Sequence, residues 1–204
     1  AEHALAFMLA HARQLPQSLD VQRGDRSWPY LTRRAASHLL TGQSVVILGY
    51  GAIARRLTEL LAPFRMKISA LCRTPKGDEG VEIFAPEQLG AKLAEADHVV
   101  NILPDSPATR GVVNNEFLAQ VKKGAVFYNI GRGTTVDQYA LISALQSGQL
   151  ASAYLDVTDS EPLPPEHPLW TAPNCFITPH TAGGFAEEEV VLVRHFVENV
   201  KRFA

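Results

Sequence analysis

Arg132 stands between Gly131 and Gly133 in the run Tyr128-Asn129-Ile130-Gly131-Arg132-Gly133-Thr134-Thr135-Val136-Asp137, after an apolar segment and before a helical one. Its guanidinium offers a planar fork that matches a carboxylate. Three more polar groups sit at or just past short apolar segments: Asp156 closes Tyr154-Leu155-Asp156, Glu161 lies five residues later, and His180 follows Thr178-Pro179. An arginine, a carboxylate pair and a histidine are what hydride transfer to a 2-keto acid needs. A cation holds the substrate carboxylate and polarises the keto oxygen. An imidazole delivers the proton near neutral pH as hydride arrives. A carboxylate behind the imidazole fixes its tautomer and favours its protonated form. Singly, each residue has a plainer reading: a solvated loop arginine, a structural histidine, an exposed glutamate. Together, beside a dinucleotide loop, the chemical reading is favoured.

That loop is Gly49-Tyr50-Gly51-Ala52-Ile53-Ala54, which fits G-x-G-x-x-G/A between a strand and a helix. Gly49 permits a tight turn and Gly51 lets the backbone approach a pyrophosphate. Ala54 still allows close helix–strand packing, and the helix N-terminus supplies free N–H groups and positive potential. An NAD site carries an acid about 20 residues on, bonded to the ribose 2′-OH. Here that strand runs out as Leu71-Cys72-Arg73-Thr74-Pro75, so Cys72 takes the acidic place. Arg73 with Thr74 suits a 2′-phosphate, which favours NADP. NAD stays open if Asp78 or Glu79, beyond Pro75 and Gly77, supplies the acid. Leu103, Pro104 and Thr109 lie where a loop would run beneath the cofactor's ribose, although a generic strand-end turn explains them nearly as well.

The elements that must position these groups are legible as a regular alternation. Apolar runs over 44–49, 66–71, 98–103, 125–130, 152–157 and 175–178 predict six strands. Helices are predicted over 52–62, 86–96, 114–121, 138–146 and 185–203. Short apolar strands separated by helices mean an α/β fold with a doubly wound parallel sheet, buried on both faces and crossed right-handedly. Its ligands bind at the carboxyl ends of the strands. A further helix is predicted over 2–16, with Leu5, Met8, Leu9 and Ala12 at helical spacing and an end near Pro16. Residues 17–43 carry Gly24, Trp28, Pro29 and Gly42 and read as an excursion outside the packed unit. The domain reading is therefore 1–43 as an N-terminal helix and excursion, and 44–204 as a dinucleotide-binding domain.

The 204 residues, 46% apolar and 20% charged, are enough for one sizeable domain. A net charge of -2 gives no electrostatic case for nucleic acid or an anionic membrane. No apolar run reaches the roughly 18 residues of a membrane helix, and the first segment lacks the basic start of a signal peptide. Cys72 and Cys175 give neither a disulfide framework nor metal spacing. A cytoplasmic, reduced protein without metal is the expectation.

With these segments assembled, the chain resembles the nucleotide-binding domain of the D-specific 2-hydroxyacid dehydrogenase family. The likeness runs through Ala1-Glu2-His3-Ala4-Leu5, the glycine loop, the segment from Asn129 to Asp137, Leu155-Asp156-Val157 with Glu161-Pro162-Leu163, and Thr178-Pro179-His180. It implies a Rossmann-like domain in which Arg132 binds the substrate carboxylate, His180 is the acid/base and Glu161 pairs with it. It also implies that Asp156 meets the nicotinamide carboxamide, and that Ile130, Gly131 and Gly183 line the cofactor with the residues already named. The Cys72-Arg73-Thr74 strand end is similar to that of the NADPH-preferring glyoxylate and hydroxypyruvate reductases, which implies a small 2-keto or 2-hydroxy acid as substrate. The family's substrate domain, on the order of 100 residues, precedes the residue aligned with Ala1 and is absent from this sequence. Members dimerise through the nucleotide-binding domain, and Trp28, Leu31, Leu39 and Leu40 are the expected surface of a homodimer. Two alternatives stay open: a non-enzymatic dinucleotide-sensing protein similar to corepressors of this fold, and a phosphoglycerate-type dehydrogenase using NAD.

Overall fold

A computed structural model describes residues 1–203. Three helices come first: α1 (Glu2–Ala12), α2 (Leu15–Arg23) and α3 (Tyr30–Ala36). The alternation then runs β1 (Ser44–Leu48), α4 (Ala52–Leu61), β2 (Lys67–Leu71), β3 (Glu82–Phe84), α5 (Leu89–Glu95), β4 (His98–Asn101), α6 (Asn115–Gln120), β5 (Ala125–Asn129), α7 (Gln138–Gln146), β6 (Leu150–Leu155), β7 (Cys175–Ile177) and α8 (Glu188–Phe203). All strand pairs are parallel, in the order β3-β2-β1-β4-β5-β6-β7.

Side chains alternate across each strand, and the two faces bury different sets. Val45 and Ile47 of β1 join Ala4, Phe7 and Met8 of α1 and Ala54 and Leu57 of α4. Val46 and Leu48 join Leu93 of α5, Phe117 of α6 and Leu141 of α7. Chain order reverses between β1 and β4, so a crevice opens above their carboxyl ends. Gly49 turns there with φ +92°, a conformation L side chains rarely adopt. A Cβ on it would also press on the Ile102 carbonyl at 3.3 Å.

Four expectations need correction. The first helix stops at Ala12 rather than near Pro16, because Pro16 sits in the first turn of α2, where its fixed φ is favourable and no N–H is required. The excursion 17–43 is partly helical, although α2 and α3 bury no residue. The sheet has seven strands, since the edge strand β3 has three residues of which only Phe84 is buried, too few to show a period. Leu40 is not surface: it is 3% exposed and packs with Val45 and Ala12 in the core. No helix among the described residues is long and apolar enough to cross a membrane.

Candidate active site

Arg132 leaves the carboxyl end of β5 on a backbone pinned from beneath. Asn101 and Asn129 are paired in register at the ends of β4 and β5, and both are buried. Asn101 Nδ2 donates to Asn129 Oδ1 at 3.1 Å and to Thr135 Oγ1 at 2.7 Å. Asn129 Nδ2 donates to the Arg132 carbonyl at 3.1 Å, and Thr135 Oγ1 donates to it at 2.6 Å. Buried amides must find partners, and here their partners are the loop that presents the guanidinium. Neither flanking glycine has positive φ. Both are required by close approach instead. A Cβ on Gly131 would lie 2.6 Å from the Leu103 carbonyl oxygen, and one on Gly133 would fall inside the Thr158 carbonyl group. Gly133 therefore packs the arginine loop directly on the loop that carries Glu161.

Glu161 is held by its own loop, with Thr158 N–H donating to Oε1 at 3.1 Å. Its other oxygen, Oε2, lies 2.6 Å from His180 Nδ1. A carboxylate can only accept, so Nδ1 carries the proton in this pair and Nε2 is the atom left to exchange a proton with a ligand. The His180 side chain is 49% exposed, which leaves Nε2 accessible. His180 itself adopts φ +53°, a strained conformation for a non-glycine residue that its surroundings must enforce. Its N–H donates to the Asp156 carbonyl at 2.8 Å.

Asp156 does most of that enforcing. Its side chain is 1% exposed and turned into the His180 loop. Oδ1 accepts from Thr178 Oγ1 at 2.6 Å and from Thr181 N–H at 2.9 Å, and Oδ2 accepts from Ala182 N–H at 2.9 Å. Burial alone would raise this carboxyl, but the hydrogen bonds from Thr178, Ala182 and Thr181 outweigh it and hold the group below the usual carboxylate range. His3 of α1 completes the cluster, with Nε2 2.9 Å from Thr178 Oγ1 and 3.5 Å from Asp156 Oδ1.

At the other end of the crevice, Gly51 caps α4 with nothing within 4 Å of a Cβ built on it, although its φ of -99° is open to any residue. The fold does not need this glycine. The open approach in front of it, at the α4 N-terminus, is one that a pyrophosphate could use. Ala52 and Ile53 form the first turn of α4, and the Tyr50 hydroxyl donates to the Glu79 carbonyl at 2.6 Å. Arg73 and Thr74 follow β2, both exposed. Leu103, Pro104 and Thr109 line the turn after β4, where the Thr109 hydroxyl donates back to the Pro104 carbonyl at 2.6 Å. Ile130 is buried beneath the arginine loop, and Gly183 faces open space beside His180.

The structure thus joins Glu161 to His180, sets Asp156 under them, and packs the Arg132 loop against the Glu161 loop. Sequence reasoning gave no role to Asn101, Asn129, Thr135, Thr178 or His3. The asparagines leave a signal, a polar residue closing each of two neighbouring apolar strands. His3 falls in a segment that carries the resemblance, but no local pattern shows its contact, because its partner Thr178 lies 175 residues away.

Residues 5–182 match the family model for the D-isomer specific 2-hydroxyacid dehydrogenase, NAD binding domain. The chain belongs to this family. A protein from Corynebacterium melassecola described only as uncharacterised is 46% identical over 191 residues, covering 89% of this chain and 60% of its own length. The human glyoxylate reductase/hydroxypyruvate reductase is 38% identical over 184 residues, covering 88% of this chain and 56% of its own. A D-isomer specific 2-hydroxyacid dehydrogenase from Xanthobacter autotrophicus Py2, solved in complex with NADPH and MES, superposes with a TM-score of 0.84 at 38% identity, covering 98% of this chain and 80% of that one. The chain therefore spans little more than half the length of these two curated relatives.

Proposed function

We propose that this chain carries the cofactor site and the acid/base of an NADP-preferring 2-hydroxyacid dehydrogenase acting on a small 2-keto acid of the glyoxylate or hydroxypyruvate class. The observation that carries this reading is the 2.6 Å His180–Glu161 pair, set on the same sheet edge as the Gly-Arg-Gly loop and the unfilled space at Gly51. A bound nicotinamide cofactor supplies hydride to the keto carbon. Arg132 binds the substrate carboxylate and draws electron density onto the keto oxygen. His180 gives that oxygen its Nε2 proton, and Glu161 stabilises the imidazolium before transfer and holds the ring in place afterwards. In the oxidative direction the neutral Nε2 takes the hydroxyl proton. Asp156 and Thr178 keep His180 aimed while Asp156 borders the nicotinamide site.

The preference for NADP rests on how two acidic residues are held. Glu79 turns its carboxylate onto the N–H groups of Lys76 and Gly77, and Asp78 pairs with Arg55 at 3.0 Å. Both acids that could serve a ribose diol thus already hold hydrogen-bond partners. Arg73 has no acidic partner within 4 Å among the described residues. In this reading 44–204 is the dinucleotide-binding domain, with α1 packed on one face of its sheet. Residues 1–43 serve a homodimer: Trp28, Leu31 and Leu39 are 90, 76 and 69% exposed, and Trp28 and Leu39 line a cavity of about 1190 Å³ beside α2 and α3. A reduced, cytoplasmic setting accords with two free cysteines.

Thermal unfolding of this chain with NADPH or NADH tests the cofactor assignment. A ligand confined to the folded state adds about 2.7 kcal/mol at a hundredfold excess over its Kd. NADPH should give the larger shift, and Arg73→Ala should narrow the difference. Equal shifts in the unaltered chain would remove the NADP preference, and no shift with either would remove the site. Light scattering that returned a monomer mass would remove the dimer.

A further inference from the structure

The loop after β2 leaves the sheet and returns to it at one place. Leu48 pairs with Leu71, and Gly49 N–H donates to the Leu71 carbonyl at 3.1 Å, so Tyr50 and Arg73 lie just past neighbouring strand ends. The loop then runs through Lys76 and Gly77 and comes back to Tyr50, whose hydroxyl grips the Glu79 carbonyl. One residue earlier in the loop, Asp78 accepts from Arg55 Nη2 at 3.0 Å. The Arg55 guanidinium lies over the Tyr50 ring, 5.3 Å from its centroid, which fixes it beside the crevice. Tyr50, Arg73 and Thr74 thus follow neighbouring strand ends, where a ribose 2′-substituent is read, and Arg55 is tied to the same two loops through Tyr50 and Asp78.

We propose that Arg55 is a second cation of the 2′-phosphate site, and that Asp78 is an internal competitor which occupies Arg55 until the phosphate enters. This rests on the NADP reading above and adds the residues that set its strength. The Arg55–Asp78 pair is exposed, with side chains 35 and 70% accessible. Such pairs hold weakly. A phosphate monoester brings up to two charges and three acceptor oxygens against the single charge of Asp78, and a guanidinium binds it with a two-pronged grip. A phosphate at the 2′ position can therefore displace Asp78, whereas a bare 2′-hydroxyl cannot. Asp78 consequently lowers affinity for every 2′-phosphorylated ligand and raises it for none.

Titration calorimetry of this chain with adenosine 2′,5′-bisphosphate and with adenosine 5′-monophosphate tests the assignment, and the ratio of the two affinities guards against a folding defect. The unaltered chain should prefer the bisphosphate. Arg55→Ala should lower bisphosphate affinity about tenfold, the size of one charge-assisted hydrogen bond, and leave the monophosphate within about twofold. Asp78→Asn should raise bisphosphate affinity about threefold or more at low salt, with the gain shrinking as salt screens the competing charge. The proposal is overturned if Arg55→Ala weakens both ligands alike, which would make Arg55 a loop support, or if Asp78→Asn weakens the bisphosphate. Should the bisphosphate preference exist and respond to Arg73→Ala alone, the latch fails and the cofactor reading stands. Should the unaltered chain show no preference, both fail together.

Discussion

Replacing Gly51 by alanine separates what the fold needs from what the ligand needs. Gly51 has φ -99° and ψ -162° at the N-cap of α4, and an added methyl meets no atom within 4 Å. Alanine restricts the unfolded chain and so contributes about 0.4–1 kcal/mol of stability. Alanine is also the poorer N-cap, by roughly the same amount. The two effects nearly cancel, and for a chain of this size a residual of up to about 1 kcal/mol moves Tm by no more than about 4 °C. The methyl does enter the space a pyrophosphate must occupy. With NADPH at a hundredfold excess, the unaltered chain should gain about 2.7 kcal/mol, a rise of about 5–11 °C. Gly51→Ala should unfold near the unaltered temperature without ligand and show almost none of this rise. Circular dichroism melts with and without NADPH decide the matter. A Gly51→Ala chain that keeps the full ligand shift refutes pyrophosphate approach at this glycine. A fall of more than about 10 °C without ligand refutes the argument that the fold tolerates a side chain there.

Gly133→Ala should behave in the opposite way. Its methyl meets the Thr158 backbone, so a cost at the upper end of the roughly 1–3 kcal/mol for overpacking is expected, with Tm lower by about 6–12 °C; a melt unchanged from the parent would show that the two loops do not touch. Acid should destabilise the protein well before its carboxylates titrate. Burial, aided by the nearby His11, pushes His98 down to about 3, and burial pushes His11 down to about 4. Both are neutral in the folded chain, and the unfolded chain takes up their protons below about pH 6.5, so stability is complete above that pH and is lost as pH falls toward 4 and then 3. At pH 5 His98 alone should cost about 2 kcal/mol, and a Tm that stays flat between pH 7 and 5 would contradict the buried, neutral assignment.

His98 also shows where sequence reasoning stops. At the start of an apolar run it reads as one more strand residue, and β4 does begin there. Its burial follows from partners on other elements: Nδ1 lies 3.0 Å from the Tyr128 hydroxyl and Nε2 2.7 Å from Gln43 Oε1. Leu40 was misplaced for the same reason, because no local pattern reveals that a leucine at the end of an exposed excursion returns to the core.

The sequence alone determined the alternation of strands and helices, the glycine loop on α4, and the strand ends that carry Arg132, Asp156, Glu161 and His180. These are local properties: a period of two or of 3.6, a turn residue, a polar side chain after an apolar run. The family resemblance already implies the Glu161–His180 pair, whereas tertiary structure alone decided that Oε2 meets Nδ1 in it, that Gly131 and Gly133 serve close approach rather than unusual dihedrals, that Asp156 faces the His180 loop, and that Asp78 holds Arg55. Each of these depends on how separate loops converge above one sheet. Spacing along the chain sets which strand end bears a residue, whereas packing sets the atoms it touches there.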